Sequence, residues 1–200
     1  KDLTIEVFLP QSLLQLAVEA WERKGFDPDF SMRVGYDYQV CVRSTERWKE
    51  YGSFHQERWE DKWQQLNAQL NARAHTLVAD IDEKIDYGDL LAALGDMLAF
   101  KLDKAPADNT IFNAVLETAI PVGLWLRQDL PYPLTYQIGE LTALLACCLR
   151  ELPQRVQKKR AETRKQEYRS ADCHIGHHLV LLWEDPHRLP PIKPEYAPDL

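Results

Sequence analysis

An α/β fold is predicted: one helix-covered, mostly parallel sheet of about four or five strands, with flavodoxin- or Rossmann-like layering. Three observations predict it. Short apolar runs bounded by Pro, Gly or Asp alternate with longer stretches whose apolar residues recur every three to four positions. Strands separated by helices pair in parallel through crossover connections. The 200 residues are 45% hydrophobic, with six Trp, six Phe and eight Tyr, which is enough for one core.

The elements follow in order. Leu3-Thr4-Ile5-Glu6-Val7-Phe8-Leu9-Pro10 reads as a strand ended by proline. Ser12 then caps a helix whose stripe is Leu13, Leu14, Leu16, Ala17, Ala20 and Trp21. Residues 25–37, rich in Gly and Asp, read as a loop before a second strand, Tyr38-Gln39-Val40-Cys41-Val42-Arg43. Ser44 or Thr45 caps a helix carrying Arg47 and Trp48. A longer helix over about 55–74 buries Trp59, Trp63, Leu66 and Leu70.

Residues 75–81 fit either a strand or the tail of that helix, because short apolar runs do not separate the two. Residues 87–100 read as a helix with Leu90, Leu91, Leu94, Met97 and Leu98 inward, and 110–119 as a shorter one. Ile120-Pro121-Val122-Gly123-Leu124-Trp125-Leu126-Arg127 is a buried strand closed by a proline-rich turn at 129–133. A helical region over about 139–168 is interrupted at Pro153, which either kinks it or opens a second helix at its first turn. The last strand is His178-Leu179-Val180-Leu181-Leu182-Trp183, and the tail 190–200, with four prolines, reads as extended or loosely ordered.

Charge narrows the function. Twenty-four basic against 31 acidic residues give −7, which argues against nucleic acid and anionic membranes, since phosphate rewards an excess of Lys and Arg. There is no long apolar run and no signal peptide, so no membrane is expected. Cys41, Cys147, Cys148 and Cys173 lie in or beside apolar segments and make a poor disulfide framework, which points to a reducing, cytoplasmic setting. The chain begins with Lys1 rather than Met, as a module of a longer protein would, and as processing or tag removal would also leave it; it is expected to be one domain over 1–200.

Chemical motifs are sparse. The eight glycines form neither GxGxxG nor GxxxxGK[ST], and the GxSxG elbow is missing, so no cofactor is implied. Cys173-His174 with His177-His178 has metal-ligand residue types without a CxxC partner, and reads as a polar loop rather than a metal site. Cys173 or Cys41 as a Cys–His nucleophile lacks an orienting partner in the sequence. Glu184 and Asp185 diverge on an extended chain; an Asx turn at Asp185 before Pro186, with a salt bridge to Arg188, is favoured over acid–base work. Asp80, Asp82 and Glu83 read as a solvated turn. The seven basic residues among 155–169, interleaved with Glu162 and Glu167, read as a solvated helix rather than a nucleic-acid stripe. Trp59 and Trp63 read as core.

The succession Thr4-Ile5-Glu6-Val7-Phe8-Leu9-Pro10, Val18-Glu19-Ala20-Trp21, Tyr38-Gln39-Val40-Cys41-Val42-Arg43-Ser44-Thr45-Glu46-Arg47, and Trp59 with Trp63 resembles the C-terminal domain of the vWA-MoxR-associated proteins. The runs 120–127 and Leu181-Leu182-Trp183-Glu184-Asp185-Pro186-His187-Arg188-Leu189-Pro190 resemble it in the same order. The resemblance implies a bacterial conflict or defence system, in which this module ends multidomain proteins that carry a trypsin-like protease or an adaptor domain. It also implies a MoxR-type ATPase and a von Willebrand factor A protein as partners. It transfers no catalytic residues.

The expected function is a non-catalytic scaffold or sensor that docks partner proteins and controls an attached effector. The alternative is an α/β hydrolase or a nucleotide- or ligand-binding domain with its site at the C-terminal strand rim. Arg43, Arg47, Arg127, Glu184, Asp185 and Arg188, all at or just beyond strand ends, are expected to share that rim as a partner-binding surface if their strands run parallel.

Overall fold

The computed structural model describes residues 3–24, 31–49, 54–81, 85–165 and 174–189. β1 (Thr4–Leu9) is followed by a short pair, β2 (Glu22–Lys24) and β3 (Ser31–Arg33), and by α1 (Val34–Asp37). β4 (Gln39–Ser44) leads into α2 (Thr45–Lys49) and α3 (Phe54–Ala68). Then come β5 (Val78–Ile81), α4 (Tyr87–Gly95), β6 (Ala99–Leu102), α5 (Thr110–Glu117) and β7 (Val122–Leu126). α6 (Leu134–Leu145), α7 (Leu152–Glu162) and β8 (Leu179–Trp183) complete the described order.

Six strands form one sheet in the order β1-β4-β8-β7-β6-β5, and β2 pairs with β3 antiparallel outside it. Four of the five neighbouring pairs in the large sheet are parallel; β7 and β8 run antiparallel. The mostly parallel α/β prediction therefore holds, with one or two more strands than expected. The sheet is two parallel halves laid head to tail, so the C-terminal ends of β1, β4 and β8 lie at one rim and those of β5, β6 and β7 at the other.

Alternation along the central strands divides the core into two layers. Val122, Leu124 and Leu126 of β7 and Leu179 and Leu181 of β8 face a layer built with Trp63 and Leu66 of α3, Leu141 and Leu145 of α6, and Leu152 and Val156 of α7. Trp125, Val180 and Leu182 face the other layer, with Phe100 of β6, Leu90 and Leu94 of α4, and Phe112 and Val115 of α5. Burial on both faces is why β7 and β8 read as continuous apolar runs in the sequence.

Several expected elements differ. The helix expected after Pro10 is two 3-10 turns, Gln11–Leu13 and Val18–Ala20. Only Leu14 and Val18 of that segment plug the core, while Leu13, Leu16 and Trp21 stay exposed. Tertiary bonds outweigh local helix propensity here: Gln15 Oε1 accepts from Trp125 Nε1 at 3.0 Å, and the Leu16 carbonyl accepts from Arg127 Nη2 at 3.2 Å. Part of the expected 25–37 loop is β3 and α1, and residues 25–30 lie outside the described set.

α3 stops at Ala68 because the chain turns there to meet the α6–α7 link, with Ala74 N–H donating to the Cys147 carbonyl at 2.8 Å and Arg73 bridged to Cys148. The ambiguous 75–81 run resolves as the end of a 3-10 turn, Ala74–Thr76, followed by strand β5. The expected helix 87–100 ends at Gly95, and its last residues open β6, a strand that the buried Lys101 disguises. The helix expected from 139 begins earlier, as α6 at Leu134, and breaks at Cys147 and Cys148 before α7, with Pro153 in the first turn of α7. The proline-rich tail 190–200 and the basic residue Arg169 lie outside the described residues.

Candidate interaction site at the strand rim

The rim is built at the ends of β4 and β8. Arg43, next to last in β4, is fully buried beside Phe8 of β1, its guanidinium carbon 4.7 Å from the ring centroid. Glu184 follows β8 directly and is also fully buried. One of its carboxylate oxygens accepts from Ser44 N–H at 2.7 Å and lies 3.8 Å from Arg47 Nε; the other lies 3.5 Å from Arg43 Nε. Its backbone is held too, with N–H donating to the Pro121 carbonyl at 2.8 Å and the carbonyl accepting from Trp59 Nε1 at 2.8 Å. Burial pushes the Glu184 carboxyl up from the ordinary range, against the pull of Arg47, Arg43 and the Ser44 N–H.

Arg43 reaches further. Its Nη1 donates to Glu6 at 2.9 Å and to the Arg188 carbonyl, and its Nη2 to the Asp185 carbonyl. The chain after β8 is thereby clamped over β1 and β4. Arg47, from α2, donates to the Val115 and Ile120 carbonyls at 3.1 and 2.7 Å, fastening α2 to the end of α5. Ser44 caps α2 as expected, its hydroxyl accepting from Glu46 N–H at 3.1 Å.

The six residues expected on one rim divide. Arg43, Arg47, Glu184, Asp185 and Arg188 do cluster there. Arg127 does not: β7 runs antiparallel to β8, which sends its C-terminal end to the opposite rim, where Arg127 pairs with Glu19. The Asx turn at Asp185 forms, with Oδ1 accepting from His187 N–H at 2.9 Å, but the ion-pair partner of Arg188 is Glu6 at 2.9 Å rather than Asp185. Of the cluster, Arg188 is the residue most open to solvent, its side chain 52% exposed, with Asp185 partly buried beneath it.

Glu6 and Trp59 were missed as rim residues. Glu6 had a signal: it is the one charged residue between Ile5 and Val7 in an otherwise uncharged strand. Trp59 had none beyond its core spacing, and it and Trp63 are core as expected, Trp63 meeting Trp183 edge-on at 6.2 Å.

The other chemical candidates are placed as follows. Cys41 is buried and its thiol is pushed up to about 12, so it stays protonated and a poor nucleophile. Cys173, Asp82 and Glu83 lie outside the described residues, while Asp80 pairs with Lys101 at 2.7 Å. Among the described residues no group of three or more His, Cys, Asp or Glu side chains is arranged to hold a metal ion. Also among them, no helix is long and apolar enough to cross a membrane. The basic helix is not wholly solvated: Arg160 is buried, donating to the Val40 and Leu179 carbonyls at 2.8 and 2.9 Å and pinning α7 to the sheet.

A family model described as the vWA-MoxR associated protein C-terminal domain matches residues 1–186. The chain belongs to that family. No curated protein and no solved structure gives a significant match. The match takes in β1 to β8 and the three residues after β8, Glu184 to Pro186, so it includes Arg43, Arg47, Glu184 and Asp185 of the rim and ends before Arg188. Its name ties the domain to systems that pair a von Willebrand factor A protein with a MoxR-type ATPase.

Proposed function

We propose that this vWA-MoxR-associated domain is a non-catalytic scaffold or sensor of a bacterial conflict system, docking partner proteins at the β4–β8 rim and controlling an attached effector such as a trypsin-like protease. The observation that carries this reading is the saturation of the rim. The strand-end carboxylate that an α/β enzyme would turn toward substrate is here fully buried and engaged by Ser44, Arg43 and Arg47. A carboxylate so engaged organises structure; it has no route to a reacting proton. Arg188 and Asp185 present the contact, and Arg43, Arg47 and Glu184 hold them from beneath. Arg127, with Glu19, fastens the opposite end of the sheet. The partners are proteins, a MoxR-type ATPase and a von Willebrand factor A protein, in the cytoplasm.

Native mass spectrometry of the domain co-expressed with those neighbours tests this. Arg188→Ala, losing one half-exposed ion pair, should weaken partner retention while shifting the melting temperature little, since such pairs contribute about 0–1 kcal/mol. Retention unchanged in Arg188→Ala would remove the rim as the docking surface. Nucleotide carried by the purified wild-type domain, with no partner retained, would replace the scaffold with a ligand-binding reading.

A further inference from the structure

A second site lies at the other rim. At the C-terminal ends of β5 and β6 there is a cavity of about 270 Å³. Its walls are aliphatic: Ile81 ends β5, Leu102 ends β6, Leu90 comes from α4, Ile111 from α5, and Ile85 from the link before α4.

Two helices, α4 and α5, begin at this rim, and helix starts so placed commonly receive phosphate. Both are already filled from within the chain. Asp86 Oδ1 accepts from Gly88 and Asp89 N–H at 2.8 and 3.3 Å, and Asp108 Oδ1 accepts from Thr110 N–H at 2.8 Å. A carboxylate in the anion's place satisfies the amides and repels a second anion, so a phosphorylated ligand is excluded. Asp108 also lines the cavity, which makes the opening negative and its interior apolar. At about 270 Å³ the cavity lies at the lower edge of the about 300–1,000 Å³ of small-molecule sites, with room for one apolar side chain and part of its neighbours.

We propose that the β5–β6 crevice seats one apolar side chain, of leucine or phenylalanine size, presented by a basic segment of a partner protein. The apolar chain fills the hole between the strands, and the flanking Lys or Arg meets Asp108 at its edge. This site is independent of the β4–β8 rim and stands or falls without it.

Isoleucine-methyl NMR of the full chain tests the proposal with three end-capped peptides, Lys-Leu-Lys, Lys-Ser-Lys and Glu-Leu-Glu. Lys-Leu-Lys should move the Ile81, Ile85 and Ile111 methyls saturably, with Ile120 and Ile175, which line no part of the cavity, as references. Lys-Ser-Lys should bind at least about tenfold more weakly, the factor that burying one leucine is worth. Glu-Leu-Glu should be weaker than Lys-Leu-Lys in the wild type, and Asp108→Asn, which keeps an acceptor for Thr110 N–H, should narrow that gap while preserving the preference for leucine. Equal responses to the leucine and serine peptides, equal responses to the basic and acidic ones, or no methyl shift at all would each overturn the proposal. So would shifts produced by free isobutanol and by none of the peptides, which would assign the crevice to a small molecule.

Discussion

Among the described residues, buried cations are tied to backbone carbonyls as well as to opposite charges. Arg47, Lys62 and Arg160 each donate to two carbonyls, and each fastens one element to another. Lys62 shows what such a fastening costs. Its ammonium, in α3, reaches the Leu94 and Met97 carbonyls at 3.0 and 2.8 Å, and burial, with Arg58 and Arg47 nearby, draws its pKa from 10.5 down to about 8. Between those values the unfolded lysine still holds a proton that the folded one has released, so the unfolded state binds more protons and stability rises with pH. Urea melts at pH 8 and pH 10 should therefore show the wild type gaining stability relative to Lys62→Met as pH rises. A constant difference would mean that the folded amine titrates normally.

At the scale of elements, β7 explains how a glycine survives in a central strand. Gly123 has no side chain to pack, but the Phe100 ring of neighbouring β6 lies across it, stacked on Trp125 at 6.0 Å and 13°. A Cβ at this position would overlap that ring. Gly123→Ala should destabilise the domain by about 1–3 kcal/mol, the usual cost of overpacking, and Phe100→Leu in the same chain should return part of it. A double-mutant cycle by thermal unfolding measures this coupling; strict additivity would show that the ring does not guard the glycine.

The same strand shows what could be read from the chain and what could not. β7 and β8 were legible because burial on both faces leaves an uninterrupted apolar run. β6 was not, because the buried Lys101 breaks the run and pairs with Asp80 and Asp103. The helix expected after Pro10 carries a sound local pattern that is overridden by Gln15, Leu16 and Glu19 bonding to Trp125 and Arg127, residues more than a hundred positions away. Rim residues were legible as polar groups following apolar strands. Their division between two rims was not, since strand direction is a property of the sheet, and no residue of β7 records that its neighbour runs the other way.

For the whole molecule, the head-to-tail sheet gives the domain two ends of different character. One is polar and saturated, with Arg43 and Glu184 at its centre; the other is apolar and open, with the β5–β6 crevice edged by Asp108. The attachment of partners at both would place them on opposite sides of one rigid slab, a geometry suited to holding two proteins apart at a fixed distance.

β8, the last described strand in chain order, occupies the middle of the sheet between β4 and β7. During synthesis the two halves of the sheet therefore wait, each with an unpaired inner edge, until residues 179–183 have left the ribosome. Pairings across so much sequence form late and slowly, and exposed edges invite aggregation in the interval. A chain stopped at residue 177 should then lack cooperative unfolding and elute as aggregates on size exclusion, whereas adding back only the segment to residue 189 should restore a monomer with a sharp melt. A folded, monomeric 1–177 fragment would contradict this. If the longer chain alone folds, both rims take shape only once the chain has been translated through the strand that joins the two halves.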